Sequence, residues 1–464
     1  AYDAQLAVFK VFGDKGGASF VDIAAAMEDA ILLNLDAVNL SLGAAAYGTY
    51  NEGLTEIFDA ALEAGVAVYA SAGNSFDASY GNAQGKNMAL TKNVDNGVTG
   101  IPSNYESSLS VASLENTEYP YLRSWALYGD RTVTYGEYSE LEFYDPTPLS
   151  LHMTTLLGDR WIDTVYINGY GDADTIARYD VKDKLVLIFE DREEQSVTPQ
   201  EVYDNLAAAG AAGVVYASED EEEDDWALGF DEIEFGTMPF VTTMRWCAMD
   251  FIDYIGKNPG NSKMYFYPTF VTVKHGGEIS DFSSRGTTAS LTIKPEITAV
   301  GGNVYSSYNG KSGYAVMSGT SMASPQTAGG SMLVKQYLKE TYPSLMAGLS
   351  PLDQAELINR ILLSTANPIL KTNVDEIAGE EIGYWPIRAQ GAGLMDLNKA
   401  TSASAYLSVN GDRPTAELGD DPQRTGVYVI PFSVTNIGSE TKTYSISTVV
   451  QTEDVYREKI PGFD

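Results

Sequence analysis

The first 118 residues alternate between two hydrophobic periods, and that alternation limits the available folds more than any other feature. Phe20, Ile23, Ala24, Met27, Ala30 and Ile31 recur at helical spacing and mark one face of a helix. The run Ala37 to Leu42 reads as a strand. Leu54, Ile57, Phe58, Ala61 and Leu62 mark a second helix, with Gly65 as its C-terminal stop. Val66 to Ala70 and Ser108 to Leu114 supply further strands, and Ala7 to Phe12 is strand-like as well. Such units predict a parallel sheet with helices on both faces. Two of these strands run directly into small or polar residues, Ser41-Leu42-Gly43 and Ser71-Ala72-Gly73-Asn74. Ligands of open α/β sheets bind at the carboxyl ends of strands, so both segments stand where a site is expected.

A second stretch carries chemistry. In Met317-Ser318-Gly319-Thr320-Ser321-Met322-Ala323-Ser324-Pro325 an extended segment gives way to a helix that runs through Ala328, Met332, Leu333 and Tyr337. A serine at a helix N-terminus faces unpaired backbone N–H groups and the positive end of the helix dipole. Those properties suit a nucleophile that must generate and hold an oxyanion. The competing reading of Ser321 is an ordinary helix cap. Asn74 has a similar pair of readings: an uncharged N–H donor, or a residue that tolerates a tight turn after Gly73.

The segment Gly319 to Pro325 resembles the serine signature of the subtilisin-like peptidases. Further resemblances occur in the family's order. Val38 to Gly43 is similar to its substrate-binding strand, and Val68 to Asn74 to its oxyanion-asparagine segment. Asp281-Phe282-Ser283-Ser284-Arg285-Gly286 and Lys294 to Ile297 are similar to the approach to the serine. Ala389 to Asp396 resembles the closing stretch. Two departures occur: Ala299-Val300-Gly301-Gly302 lacks a proline before the glycine, and Gln326 stands where many relatives carry histidine. The resemblance implies Ser321 as nucleophile and Asn74 as oxyanion donor, a contribution of about 3–4 kcal/mol on a figure that itself comes from a subtilisin asparagine. It also implies that Ser41, Leu42, Gly43, Ser71, Ala72 and Gly73, with Gly319 and Thr320, bind extended peptide or protein substrates.

Between Glu118 and Phe270 tyrosines and acids rise and a new alternation begins. Leu185 to Phe189 reads as a buried strand, Pro199 to Ala209 as a helix and Ala211 to Ala217 as a turn and strand, and Pro239 to Thr243 precedes a helix from Met244 to Ile255. The pattern is similar to a protease-associated (PA) domain. Val427 to Asn436 and Thr443 to Ser447 alternate like strands and resemble the opening of a fibronectin type III-like module. The expected fold class is therefore α/β: a subtilisin-like parallel-sheet catalytic domain, an inserted PA domain and the start of a C-terminal fibronectin type III-like β-sandwich. The expected boundaries are 1–118 and 271–401 for the two parts of the catalytic domain, 119–270 for the insert and 402–464 for the sandwich. This combination resembles the large cell-envelope type of the family, which includes lactocepin-like and streptococcal complement peptidase-like enzymes.

A serine nucleophile needs a base, and the base an orienting acid. The sequence holds two histidines, His152 and His275, and neither stands in the family's histidine motif. The chain thus reads as a piece of a longer protein whose catalytic Asp and His lie upstream, so this piece alone is expected to be inactive. The implied activity is that of a secreted or cell-wall serine endopeptidase. The alternative is an inactive peptidase scaffold used for surface binding or adhesion. A net charge of −35 argues against nucleic acid or an anionic membrane surface as partner. There is no apolar run of the ~18 residues that a membrane span requires. The lone Cys247 excludes an internal disulfide and reads as a small buried hydrophobe. No cofactor is assigned. Family members often carry calcium, but no ligand cluster in the sequence is specific enough to name. The acidic run from Glu219 to Asp225 reads either as a solvated loop or as a cation site.

Overall fold

The computed structural model describes residues 3–13, 16–44, 52–76, 99–127, 140–143, 153–157, 160–191, 196–219, 233–257, 259–272, 276–288, 290–307, 314–371, 383–416, 418 and 421–450. The chain divides into two units, Ala1–Thr117 with Lys274–Asn303 and Ser318–Asp464, and Glu118–Val273 with Val304–Met317.

The first unit is built on four parallel strands: β1 (Ala37–Leu40), β2 (Ala67–Ser71), β3 (Ser108–Glu115) and a fourth, Ile297–Gly302. They lie side by side in that order, with Val38 opposite Val68, Val68 opposite Ser108 and Val111 opposite Ile297. Every residue of β2 is buried, as a strand covered on both faces must be. Ala67 and Tyr69 pack into a layer with Ala323, Val334 and Leu338 of the helix Thr320–Thr341 and with Leu357, Ile358, Ile361 and Leu362 of the helix Pro351–Thr365. Val66, Val68 and Ala70 face the other way, toward α1 (Phe20–Leu32) and α2 (Glu52–Glu63). Burying a side chain of valine size or larger contributes about 1.5–3 kcal/mol, so Val68 and Tyr69, on opposite faces of β2, favour a covering layer on each side.

Helix α1 starts where the Ser19 hydroxyl accepts the Asp22 N–H at 3.2 Å. Its inward face is Ile23, Met27 and Ala30. Phe20 was expected on that face, but it sits at the first helical position and is 43% exposed. Phe58 of α2 meets Tyr105 edge to face at 5.5 Å. The strand expected over Ala7 to Phe12 does not form. Leu6 and Val8 are 89% and 90% exposed, and a single bridge joins Phe12 to Ala18. Alternation by itself cannot make a strand without a neighbouring edge to pair with.

A buried ionic network ties residue 413 into this unit. The Arg413 guanidinium reaches Glu296 at 2.9 Å and Glu356 at 3.0 Å, and Lys294 meets both Glu296 oxygens at 2.9 Å. Lys294 also donates to the Ser108 carbonyl at 2.7 Å, and Glu296 accepts the Ser110 N–H at 2.7 Å. Two cations and two carboxylates balance. Burial holds the Lys294 ammonium below the usual lysine range against the pull of Glu296. Beyond residue 402, one two-stranded antiparallel ribbon forms among the described residues, Ala405–Val409 with Phe432–Asn436. The strand expected from Val427 is confined to Phe432–Asn436, and none forms over residues 443–447, where Tyr444 and Ile446 stay exposed.

The second unit carries a seven-stranded mixed sheet, in the order Glu140–Phe143, Glu118–Leu127, Lys263–Thr272, Ile162–Tyr166, Leu185–Phe189, Gly213–Ala217 and Phe240–Thr243. The last four run parallel, and Lys263–Thr272 is antiparallel to both of its neighbours. Leu185 and Leu187 enter one apolar layer and Val186 and Ile188 the opposite one. The helix Pro199–Ala208 begins with a reciprocal cap between Thr198 and Glu201, and Arg245–Lys257 buries Cys247 completely. Of the acidic run, Glu219 is described; its N–H donates to Glu190 at 3.0 Å and its carboxylate accepts the Tyr170 hydroxyl at 2.8 Å. Residues 220–225, His152 and His275 lie outside the described residues. Among those described, no group of three or more His, Cys, Asp or Glu side chains is placed to hold a metal ion, and no helix is long and apolar enough to cross a membrane.

Candidate active site

The carboxyl ends of β1 and β2 meet the N-terminus of the helix Thr320–Thr341, which packs against all four strands of the sheet. Ser321 is the second residue of that helix. The first-turn N–H groups of a helix have no acceptors within it, so they point outward at the same edge as the serine.

Thr320 and Asn74 interlock there. The Asn74 Oδ1 accepts both the Thr320 N–H at 3.0 Å and the Thr320 hydroxyl at 2.8 Å. The Gly73 N–H in turn donates to the Thr320 hydroxyl at 3.1 Å. Pinning the amide oxygen fixes which way the side chain faces and leaves its NH₂ group as the donor. Gly319 explains itself against the same pair. A Cβ built on it would stand 3.1 Å from Asn74 Nδ2 and 3.6 Å from the Ser321 nitrogen, so both nitrogens border the same point. A side chain at position 319 would crowd that space.

A second set of contacts joins β1 to the same turn. Pro325 has no N–H, so the carbonyl four residues earlier, that of Ser321, has no helical donor. The Ser41 hydroxyl supplies one at 2.6 Å. Asn39 Nδ2 donates to the Ser41 hydroxyl at 3.1 Å, and the Ser324 hydroxyl donates to Asn39 Oδ1 at 2.7 Å. The Ser321 hydroxyl lies 3.5 Å from the Ser41 carbonyl, a weak contact that leaves it available. Gln326, at one of the departures noted above, donates to the Val300 carbonyl at 2.7 Å and so bonds the helix to the fourth strand.

The structure thus brings together Ser321, Asn74, Gly319, Thr320 and Ser41, and it revises part of the expected substrate surface. Thr320 is 1% exposed, and its hydroxyl is engaged by Asn74 and Gly73; it holds the asparagine and does not face a ligand. Ser71 and Ala72 are buried. The Ala72 N–H donates to Val111 at 3.0 Å and its carbonyl accepts from Gly100 at 2.9 Å. The Gly73 carbonyl accepts the Ser284 N–H at 2.8 Å. With their donors engaged inside the protein, Ser71, Ala72 and Gly73 offer no free edge for strand addition. Leu42 and Gly43 are half-buried and exposed at the end of β1, and chain pairing resumes one residue later, between Ala44 and Ile101. Sequence reading missed Asn39, Ser324 and Ser284. Their motifs were in view, but hydrogen bonds to residues more than 200 positions away leave no local signal.

A serine at a helix start, with the Asn74 amide nitrogen and its own backbone nitrogen bordering one point beside Gly319, has the kind of groups that suit attack on a carbonyl and stabilisation of an oxyanion. The chain belongs to the subtilase family, whose sequence profile matches residues 1–384. It is similar to the PII-type proteinase of Lacticaseibacillus paracasei, 30% identical over 488 residues, covering 98% of this chain and 24% of that protein. It is also similar to the C5a peptidase of Streptococcus pyogenes serotype M3, 31% identical over 415 residues, covering 88% of this chain and 32% of the relative. The chain therefore spans about a quarter to a third of the length of these relatives.

Proposed function

We propose that this chain is the nucleophile-bearing part of a serine endopeptidase. The observation that carries the reading is the fixed orientation of Asn74: its oxygen is tied to Thr320 at 3.0 and 2.8 Å, and its NH₂ group shares the space beside Gly319 with the Ser321 nitrogen. Ser321 Oγ attacks the scissile carbonyl carbon as a base removes its proton. Asn74 Nδ2 and the Ser321 N–H receive the negative charge on the carbonyl oxygen. Collapse expels the amine, which takes up the proton, and water then releases the acyl group by the same steps in turn. Ser41, Leu42 and Gly43 receive extended substrate. The base and its orienting acid, on this reading a histidine and an aspartate, lie upstream of residue 1. The relatives' names support a protein substrate, and the resemblance to cell-envelope enzymes supports a secreted or wall-bound setting. The second unit is read as a PA insert, on the strength of its four parallel strands and covering helices. The ribbon after residue 402 is read as the opening of a fibronectin type III-like module.

A fluorophosphonate probe tests the reading. The full-length protein should be labelled at Ser321, and Ser321→Ala should lose both labelling and turnover of peptide substrates. A folded full-length protein that is neither labelled nor active would instead be an inactive scaffold for surface binding.

A further inference from the structure

The segment Asp281–Gly286 was singled out by resemblance alone, and none of its residues enters the chemistry above. Its contacts give it a task. The Ser284 N–H donates to the Gly73 carbonyl at 2.8 Å, and the Ser284 hydroxyl accepts the Ser75 N–H at 3.0 Å. One residue thus bonds the backbone on both sides of Asn74. The next turn is held too: the Phe76 N–H donates to the Phe282 carbonyl at 3.3 Å, and the Arg285 guanidinium lies 3.6 Å over the Phe76 ring. Ser284 is fully buried. Its approach is close enough to dictate Gly73, since a Cβ there would come within 2.8 Å of the Ser284 hydroxyl, at a φ of +107° that side chains rarely adopt.

We infer that Ser284 is a positioning residue for the oxyanion donor, acting with Arg285 as a clamp on residues 73–76. The inference rests on the proposed peptidase reading. Thr320 fixes the Asn74 side chain by its oxygen; Ser284 fixes the main chain from which that side chain projects. Without both anchors the NH₂ group would drift from the point where charge develops. A donor displaced by tenths of an ångström still permits substrate binding but stabilises the transition state less.

The test is a double-mutant cycle in the full-length protein. Ser284→Ala is expected to lower kcat about 10-fold, a part of the 10²–10³-fold that a lost oxyanion donor costs, with KM changed less than about twofold. In an Asn74→Ala background the same change should cost less than about twofold, because the group being aimed is gone. Affinity for a peptide aldehyde, which forms a tetrahedral adduct, should fall in parallel with kcat. A merely structural serine would give the same kcat factor in both backgrounds, or a loss carried by KM, and either result overturns the inference. Should Ser284→Ala fail to fold, Arg285→Leu loosens the clamp from its other end and must show the same non-additivity with Asn74→Ala. Ser321→Ala is measured alongside. If it retains turnover, the peptidase reading itself fails; if it is dead while the cycle is additive, only the clamp fails.

Discussion

Asn74→Asp separates the two jobs of Asn74 better than any truncation. An aspartate is isosteric and keeps an oxygen to accept the Thr320 N–H and hydroxyl, now 3.0 and 2.8 Å away. The architecture around the turn is therefore preserved, and stability should stay within about 1 kcal/mol of the parent. What changes is the outward atom, from an N–H donor to a carboxylate oxygen. Loss of the donor costs about 2.7–4 kcal/mol, or 10²–10³ in kcat, a magnitude measured on a subtilisin asparagine. A full negative charge about 3 Å from the forming oxyanion adds a repulsion of about 5 kcal/mol at an effective dielectric of about 20. Asn74→Ala suffers only the first of these. At pH 7 the expected order of kcat is parent, then Ala lower by about 10²–10³-fold, then Asp lower again by at least about tenfold. KM should barely move, since the donor acts only once charge has developed. The assay is steady-state cleavage of a chromogenic peptide by the full-length protein, with urea melts to verify folding. An aspartate variant as active as the alanine one, or a loss that appears in KM, would refute the view that Asn74 faces an oxyanion.

Two further predictions concern stability. Arg413→Met strips two buried carboxylates, Glu296 and Glu356, of a shared cation, and should lower unfolding free energy by about 3–5 kcal/mol in denaturant titrations; Arg413→Met with Glu356→Met should recover most of that loss. The Asp396 carboxylate accepts the Lys399 N–H at 3.0 Å and the Asn367 amide at 3.0 Å, and these bonds hold its pKa below the ordinary value. A depressed folded pKa gives stability that is present above the unfolded pKa and lost as pH falls through the folded one. Asp396→Asn should therefore flatten the acid limb of the stability–pH curve, and an unchanged limb would show that other carboxylates govern it.

The sequence by itself determined the parallel sheet of the first unit, the burial of both faces of β2 and the place of Ser321 at a helix start, because each is written in local periodicity or in a contiguous motif. It also put Ser41 and Asn74 at strand ends, where a site belongs. The tertiary structure decided what those residues touch. Thr320 reads as a substrate contact until its hydroxyl is seen bonded to Asn74, and Ala72 and Gly73 read as a binding edge until Val111, Gly100, Thr320 and Ser284 are seen to engage them. Pro325 lies inside the helix and frees the Ser321 carbonyl, and only the fold shows the Ser41 hydroxyl bonded to it. The strand-like run Ala7 to Phe12 shows the same limit from the other side, since alternation cannot reveal whether a neighbouring edge exists. Periodicity and motif encode which face of an element is apolar and where it ends; hydrogen bonds between residues 41 and 321, or 73 and 284, come into being only when the fold brings those segments together.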